Sequence, residues 1–340
     1  MTLRRVSRRG ALKLGAVVGT TSSLAGCSDL LGSDQTNLRY SHPTAASSPP
    51  GLFAEGLAGR VEERTDGAVT IDVFHASELG SIPEMVEGTS AGSIAMGSNA
   101  FAALGGLYEE ILALEIPGMY RNYEHCLQAT DPSTSDVMAE LNESLIEKAD
   151  IRCLSSFIVG DRHVTLNEKA CVVDDMEGKS IRAPPIPLWN LMVESWGATP
   201  TQVDFAELAT ALSTGSVDGQ ENPLTIIHSS GLHEAQSHIM LTGHKITINP
   251  TYINEGIFQD LTDEQQDILI KAAREQRLAT LSDLRERESE LVNELRDDPD
   301  TDVIDNRGCL EPDPFGTLAT DKVLEEFPDW KEYVERISDL

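Results

Sequence analysis

Short runs of alternating apolar and polar residues are spaced along this chain between longer stretches of helical periodicity. Asn37-Leu38-Arg39-Tyr40-Ser41-His42 and Val69-Thr70-Ile71-Asp72-Val73-Phe74 alternate as half-buried strands do. Between them Pro49-Pro50 opens a helix to about Arg64, since proline fits a first turn whose amides have no partner. Ile82 to Thr89 reads as a helix, and Ser93 to Gly97 as a short buried strand. Ser133 to Lys148 carries Val137, Leu141, Leu145 and Ala149 on or beside one helical face, and Ile151 to Val159 is a strand again. Lys179 to Ala183 is a strand stopped by Pro184-Pro185, and Leu188 to Trp196 is a helix with Gly197 past its end. Asp204 and Glu207 have capping-box spacing ahead of Leu208, Ala209 and Leu212. Gly215 ends that helix, Val217 to Pro223 reads as a tight loop, and Pro223 favours a helix start. Thr262-Asp263-Glu264-Gln265 is a further capping box, opening a helix to about Asp297, roughly 54 Å long. Its intermittent stripe, interrupted at Gln276 and Glu288, suits a helix lying across two domains better than a coiled coil. The β-α-β alternation predicts α/β domains with covered sheets.

The first residues follow a different rule. Ser7-Arg8-Arg9, Leu12 and Lys13 resemble a twin-arginine export signal. The run from Ala11 to Leu24 is broken by glycines, serines and threonines, and falls short of the ~20 apolar residues that span a bilayer. It ends in Leu24-Ala25-Gly26-Cys27, which resembles a lipoprotein cleavage box with the Cys27 thiol as the site of lipid attachment. Residues 1–26 then form an export signal and 27–36 a polar tether. The chain is expected outside the cytoplasm, lipid-anchored on the outer face of the membrane.

Charge narrows the partners. The formal net charge is −30, and residues 1–26 contribute five basic groups and no acid, so without them it is −35. Such a surface repels nucleic acid and anionic lipid. It also suits a high-salt environment, where the Debye length falls to about 3 Å at 1 M and self-repulsion is screened. Aromatic residues are 5%, so the cores rest on aliphatic side chains. Cys126, Cys153, Cys171 and Cys309 show no zinc-like spacing; they form up to two disulfides or serve as small buried hydrophobes.

Enzyme motifs lack their context. Gly88-Thr89-Ser90-Ala91-Gly92 fits Gly-x-Ser-x-Gly, but a helical pattern precedes it where a hydrolase needs a strand. His233 and His238 are one residue too far apart to share a zinc-binding helix face. No phosphate-cradling loop occurs. The chain reads as a binding protein without a cofactor rather than an enzyme.

Several strings together carry a family resemblance: Glu78-Leu79-Gly80, Ile94-Ala95-Met96-Gly97-Ser98, Ile116-Pro117-Gly118-Met119-Tyr120, Met176 to Pro184, Gly197-Ala198-Thr199-Pro200 and Val217-Asp218-Gly219-Gln220-Glu221-Asn222-Pro223. In order and spacing, across the chain beyond the export segment, they resemble the substrate-binding subunit of tripartite ATP-independent periplasmic (TRAP) transporters. The resemblance implies a two-domain, periplasmic-binding-protein-like α/β fold with a ligand cleft between domains and a long domain-spanning helix. The expected domains are residues 37–159 plus 248–287 and residues 160–247 plus 288–340. It implies capture of a small organic acid and delivery to a TRAP-type membrane permease driven by an ion gradient. A carboxylate sensor serving a membrane receptor would use the same fold.

The resemblance also assigns residues. Arg182, at a strand end before a proline, maps to the carboxylate clamp, for which its guanidinium fork is suited. Arg162, in Gly160-Asp161-Arg162, maps to a second arginine, or is satisfied by neighbours. Asn222 binds a ligand oxygen, or caps the helix after Pro223. Phe205 and Trp189 reach the cleft or are core. Ser98 faces the ligand from the first domain. Some relatives bind through a metal ion, for which Gln220 and Glu221 are the candidate ligands. Departures at Gly118-Met119-Tyr120, Asn99 and Ala183 bear on the shape of the cleft and hence on the ligand.

Overall fold

The computed structural model describes residues 35–340. The export signal, Cys27 and nearly all of the expected tether lie outside the described residues. Thr36, counted as tether, already pairs with Val69 as the first residue of a strand.

Ten strands form among the described residues: β1 Thr36–Ser41, β2 Val69–Phe74, β3 Met96–Ser98, β4 Ile151–Leu166, β5 Ser180–Ala183, β6 Thr199–Gln202, β7 Gly219–Pro223, β8 His238–Met240, β9 Ile246–Asn254 and β10 Asp302–Ile304. The helices are α1 Pro49–Arg64, α2 Ile82–Ser90, α3 Tyr123–Ala129, α4 Asp136–Ala149, α5 Pro187–Ser195, α6 Leu208–Ser213, α7 Leu224–Ser229, α8 Glu255–Asp260, α9 Asp263–Asp297, α10 Asp313–Glu326 and α11 Lys331–Ser338.

One half of the sheet runs β2-β1-β3-β9-β4, with β1 parallel to β2 and β3, and β9 antiparallel to β3 and β4. The other half continues β4-β7-β5-β6, with β8 pairing both β4 and β10. β4 serves both halves: residues 151–161 pair with β9, and Arg162 to Leu166 pair with β7. The handover falls at Gly160, where the register shifts and φ is +132°. That φ strains any L side chain, and a Cβ there would also push on Glu288 Oε1 at 2.6 Å, so glycine is favoured.

α9 ties the halves together. Thr262 and Gln265 form the expected reciprocal cap, and the helix ends at Asp297 as its periodicity predicts. Its early turns bury Leu269, Ala272 and Ala273 with Phe53, Phe157 and Leu38. Its late turns bury Leu291 and Leu295 with Leu212, Ile227 and Ile239. At 35 residues it spans roughly 52 Å.

Four local expectations fail. Gly219 to Pro223 is a buried strand, not part of a loop, because β4 and β5 supply partners on both sides. β4 does not stop at Val159. Asp204 makes no side-chain cap; a 3-10 turn over Phe205–Glu207 intervenes before α6. α4 starts at Asp136 rather than Ser133, because Asp131 draws the Ser133 amide and hydroxyl into a turn of 2.8 and 2.7 Å bonds. Cys171 and Cys309 form a disulfide, while Cys126 and Cys153 are free and buried. No helix among the described residues is long and apolar enough to cross a membrane.

Candidate ligand-binding site

The middle of β4, where it passes from β9 to β7, and the ends of β5 and β7 meet the loops after β1 and β3 around a cavity of about 90 Å³. That volume restricts an occupant of this conformation to a small molecule. Arg162, Arg182, Trp189, Phe205 and Asn222 all line it, joined by Thr44, Asn99, Thr247 and Asn249. A larger hollow of about 530 Å³ lies between the start of α1, α7 and α9, but the cation on its wall, Arg287, is held by Glu290 and Glu294. Chemistry, not size, therefore selects the smaller cavity.

Arg182 sits one residue before the end of β5 and is only 3% exposed. Its Nε donates to the Val203 carbonyl at 2.9 Å, and its charge lies 5.9 Å from the centre of the Phe205 ring. Nη2 is buried with no hydrogen-bond partner among the described residues. Burial pushes the guanidinium down to about 10, with Glu221 and Asp204 pulling up and Arg162 pushing down, so it stays charged at neutral pH. A buried cation with an unused donor suits an anionic ligand, since an unmet buried donor costs about 1–3 kcal/mol.

Arg162 is held differently. Its Nε and Nη2 donate to the Glu221 carboxylate, Nη2 at 2.7 Å, and Nη1 reaches Thr247 Oγ1 at 3.1 Å. Nη2 also meets Asn222 Oδ1 at 3.1 Å. Glu221 further accepts from Trp189 Nε1 at 2.8 Å and lies 3.1 Å from His244 Nε2. Burial alone would raise the Glu221 carboxyl, but Arg162 and His244 outweigh it and hold it at about 2. The buried His244 ring is itself pushed down by desolvation, against the pull of Glu221. Lys245 extends the network, bonding Glu115 and lying 5.0 Å from the Trp189 ring centre.

Asn222 does not cap α7 through its side chain. It sits in β7, its Nδ2 donating to Gln220 Oε1 at 2.5 Å, and Pro223 is the N-cap residue. Gln220 also bonds Thr165 at 3.0 Å. Neither Gln220 nor Glu221 lines the cavity, and their oxygens already have protein donors, so the pair does not fit a metal ion. Among the described residues no group of three or more His, Cys, Asp or Glu side chains is placed to hold one. Ser98 lies off the cavity: it is fully buried in β3 opposite Thr251, and Asn99, one residue on, takes the lining position. A strand's period of two makes that single step decisive. Sequence reasoning missed Thr44, Thr247, Asn249 and His244, whose only signal was polarity in or near strands, and noted Asn99 only as a departure bearing on the cleft's shape.

A profile of the bacterial extracellular solute-binding proteins, family 7, matches residues 40–307. The 2,3-diketo-L-gulonate-binding periplasmic protein of Escherichia coli is 27% identical over 331 residues, covering 96% of each chain. The sialic acid-binding periplasmic protein of Vibrio cholerae is 26% identical over 258 residues, 76% of this chain and 79% of its own. A solved TRAP periplasmic solute binding protein from Bordetella bronchispeptica, with density assigned as pantoate, superposes with a TM-score of 0.81 at 25% identity, covering 90% of this chain and 99% of that one.

Proposed function

The chain belongs to family 7 of the bacterial extracellular solute-binding proteins, and we propose that it captures a small organic acid and hands it to a TRAP-type permease. The observation that carries the carboxylate is Arg182, buried in the cavity wall with Nη2 unpartnered among the described residues. Its relatives include proteins named for binding 2,3-diketo-L-gulonate and sialic acid, both acids.

In this reading the carboxylate sits on Arg182, with Asn222, Phe205 and Trp189 shaping the wall beside it. Arg162 contributes field and position through Thr247 and Asn222 rather than its own fork, which Glu221 occupies. Residues 37–159 plus 248–287 act as one domain and 160–247 plus 288–340 as the other, and the ligand favours closure by binding the closed form better. The permease that receives it is driven by an ion gradient. Twin-arginine export, a lipid on Cys27 and a salt-rich habitat complete the proposal; mass spectrometry of membrane-extracted protein tests the lipid.

The decisive experiment is thermal unfolding of the protein against a panel of carboxylates, sugar acids and neutral sugars. A ligand at 100 times its Kd adds about 2.7 kcal/mol. An acid that shifts wild type but not Arg182→Ala supports the reading; a response to neutral sugars alone, or normal acid binding by Arg182→Ala, overturns it.

A further inference from the structure

A chain of hydrogen bonds runs from the protein surface to the cavity wall beside β1. Glu55 Oε1 lies 2.9 Å from His75 Nε2, and His75 Nδ1 lies 2.8 Å from His42 Nε2. His42 Nδ1 is 3.2 Å from Thr44 Oγ1, which is 2.7 Å from Ser48 Oγ. His42 and Ser48 are fully buried, and Thr44 lines the cavity.

The protons on this chain follow from its two ends. At the inner end Ser48 Oγ donates to the Ala45 carbonyl at 2.6 Å and accepts from the Gly51 amide at 3.4 Å. At the outer end a carboxylate only accepts, so His75 Nε2 carries a proton. When His75 is neutral, its Nδ1 accepts from His42 Nε2–H. His42 Nδ1 is then a bare lone pair; the Thr44 hydroxyl donates to it, and Ser48 Oγ turns its proton from the Ala45 carbonyl to Thr44 Oγ1. When His75 is protonated at both nitrogens, the direction reverses. His42 Nε2 accepts, His42 Nδ1–H donates to Thr44, and Thr44 donates to Ser48. His42 itself stays neutral, because burial and then His75 hold its imidazole down to about 3. In both arrangements the Thr44 proton is used inside the protein. Thr44 lines the cavity, and its oxygen keeps one lone pair for a further donor.

We infer that Thr44, whose own proton is taken by His42 or by Ser48, reads a ligand hydroxyl and selects hydroxylated monocarboxylates over dicarboxylates. The inference rests on the carboxylate reading of Arg182. A second carboxylate in the cavity would set acceptor against acceptor at Thr44. It would also find no spare cation, since the Arg162 and Lys245 charges are met by Glu221 and Glu115. A ligand hydroxyl finds the lone pair it can donate to.

Calorimetric titration tests this with hydroxy acids of three, four and six carbons (glycerate, D-erythronate, L-galactonate), each beside the deoxy acid of equal length, and with succinate. The best hydroxy acid is expected to bind at least tenfold tighter than its deoxy partner and than succinate. Thr44→Val, close in shape but without the oxygen, should remove at least tenfold from the hydroxy acid and leave its deoxy partner within twofold. Thr44→Ser should restore the preference. Stronger succinate binding by wild type overturns the inference, as does an equal loss on both acids in Thr44→Val. If no acid binds wild type at all, the carboxylate reading itself fails; if acids bind but Thr44→Val keeps their ratio, only the role of Thr44 falls.

Discussion

Replacing Glu221 by glutamine should cost this fold about 3–5 kcal/mol, and the structure sets that scale in two ways. Glu221 is fully buried and Arg162 nearly so, and breaking one partner out of such a pair typically costs about 3–5 kcal/mol because the other charge is left unmet. Independently, a carboxyl held at about 2 instead of its ordinary 4.5 contributes roughly 3 kcal/mol at neutral pH. Glutamine keeps one acceptor, enough for Trp189 Nε1 or one arm of Arg162, but removes the charge facing both. The depressed carboxyl also fixes a pH signature. Its contribution is whole above about pH 4.5 and is lost as pH falls towards about 2, so wild type should weaken through that window more steeply than the variant. Urea denaturation at pH 7 and along the acid limb measures both effects. Arg162→Met in the Glu221→Gln background should recover part of the loss, since the orphaned charge is then gone. A variant within about 1 kcal/mol of wild type at pH 7, or acid limbs that superimpose, would refute the argument.

The Cys171–Cys309 disulfide closes a loop of 138 residues, so its reduction should lower stability by about 4–5 kcal/mol on chain-entropy grounds. An unchanged urea midpoint in reductant, with Cys309→Ser as control, would contradict this. Glu288 behaves oppositely to Glu221: burial, then the nearby Asp161 charge, push its carboxyl up to about 7, while Tyr123 donates to both its oxygens at 3.1 Å. Wild type should therefore lose stability as pH rises from about 4.5 through 7. Glu288→Gln should escape that loss and exceed wild type by about 1–2 kcal/mol at pH 8; equal stabilities there would disprove it.

What the chain disclosed about itself depended on whether the signal was local. Helix α1 begins at Pro49 and α9 at Asp263 because proline and the Thr262–Gln265 cap act within one turn, and both were legible. Gly219 to Pro223 was not, because a glycine, a proline and three polar residues look like a turn. They form a strand because β4 and β5 pair with their backbone, while Arg162 answers Glu221 and Asn222, and Thr165 answers Gln220, from β4. The disulfide partner of Cys171 is likewise a tertiary fact. At the site, the arginines and aromatic residues stood out by type, and Arg182, Arg162, Trp189, Phe205 and Asn222 do share one cavity. Which arginine keeps a free donor, and that Asn99 rather than Ser98 faces in, required strand register and the position of Glu221.

The sheet order has a consequence for how the chain is made. β1, β2 and β3 reach the rest of the sheet only through β9, which pairs with β3 and comes about 150 residues later in the chain. At the usual ~5–20 residues per second of synthesis, the open edge of β3 waits roughly 7–30 s for its neighbour. During that interval the amino-terminal third can assemble helix and strand but cannot close its own sheet. A chain wired this way commits to its native form late, and nearly all at once, after most of it exists.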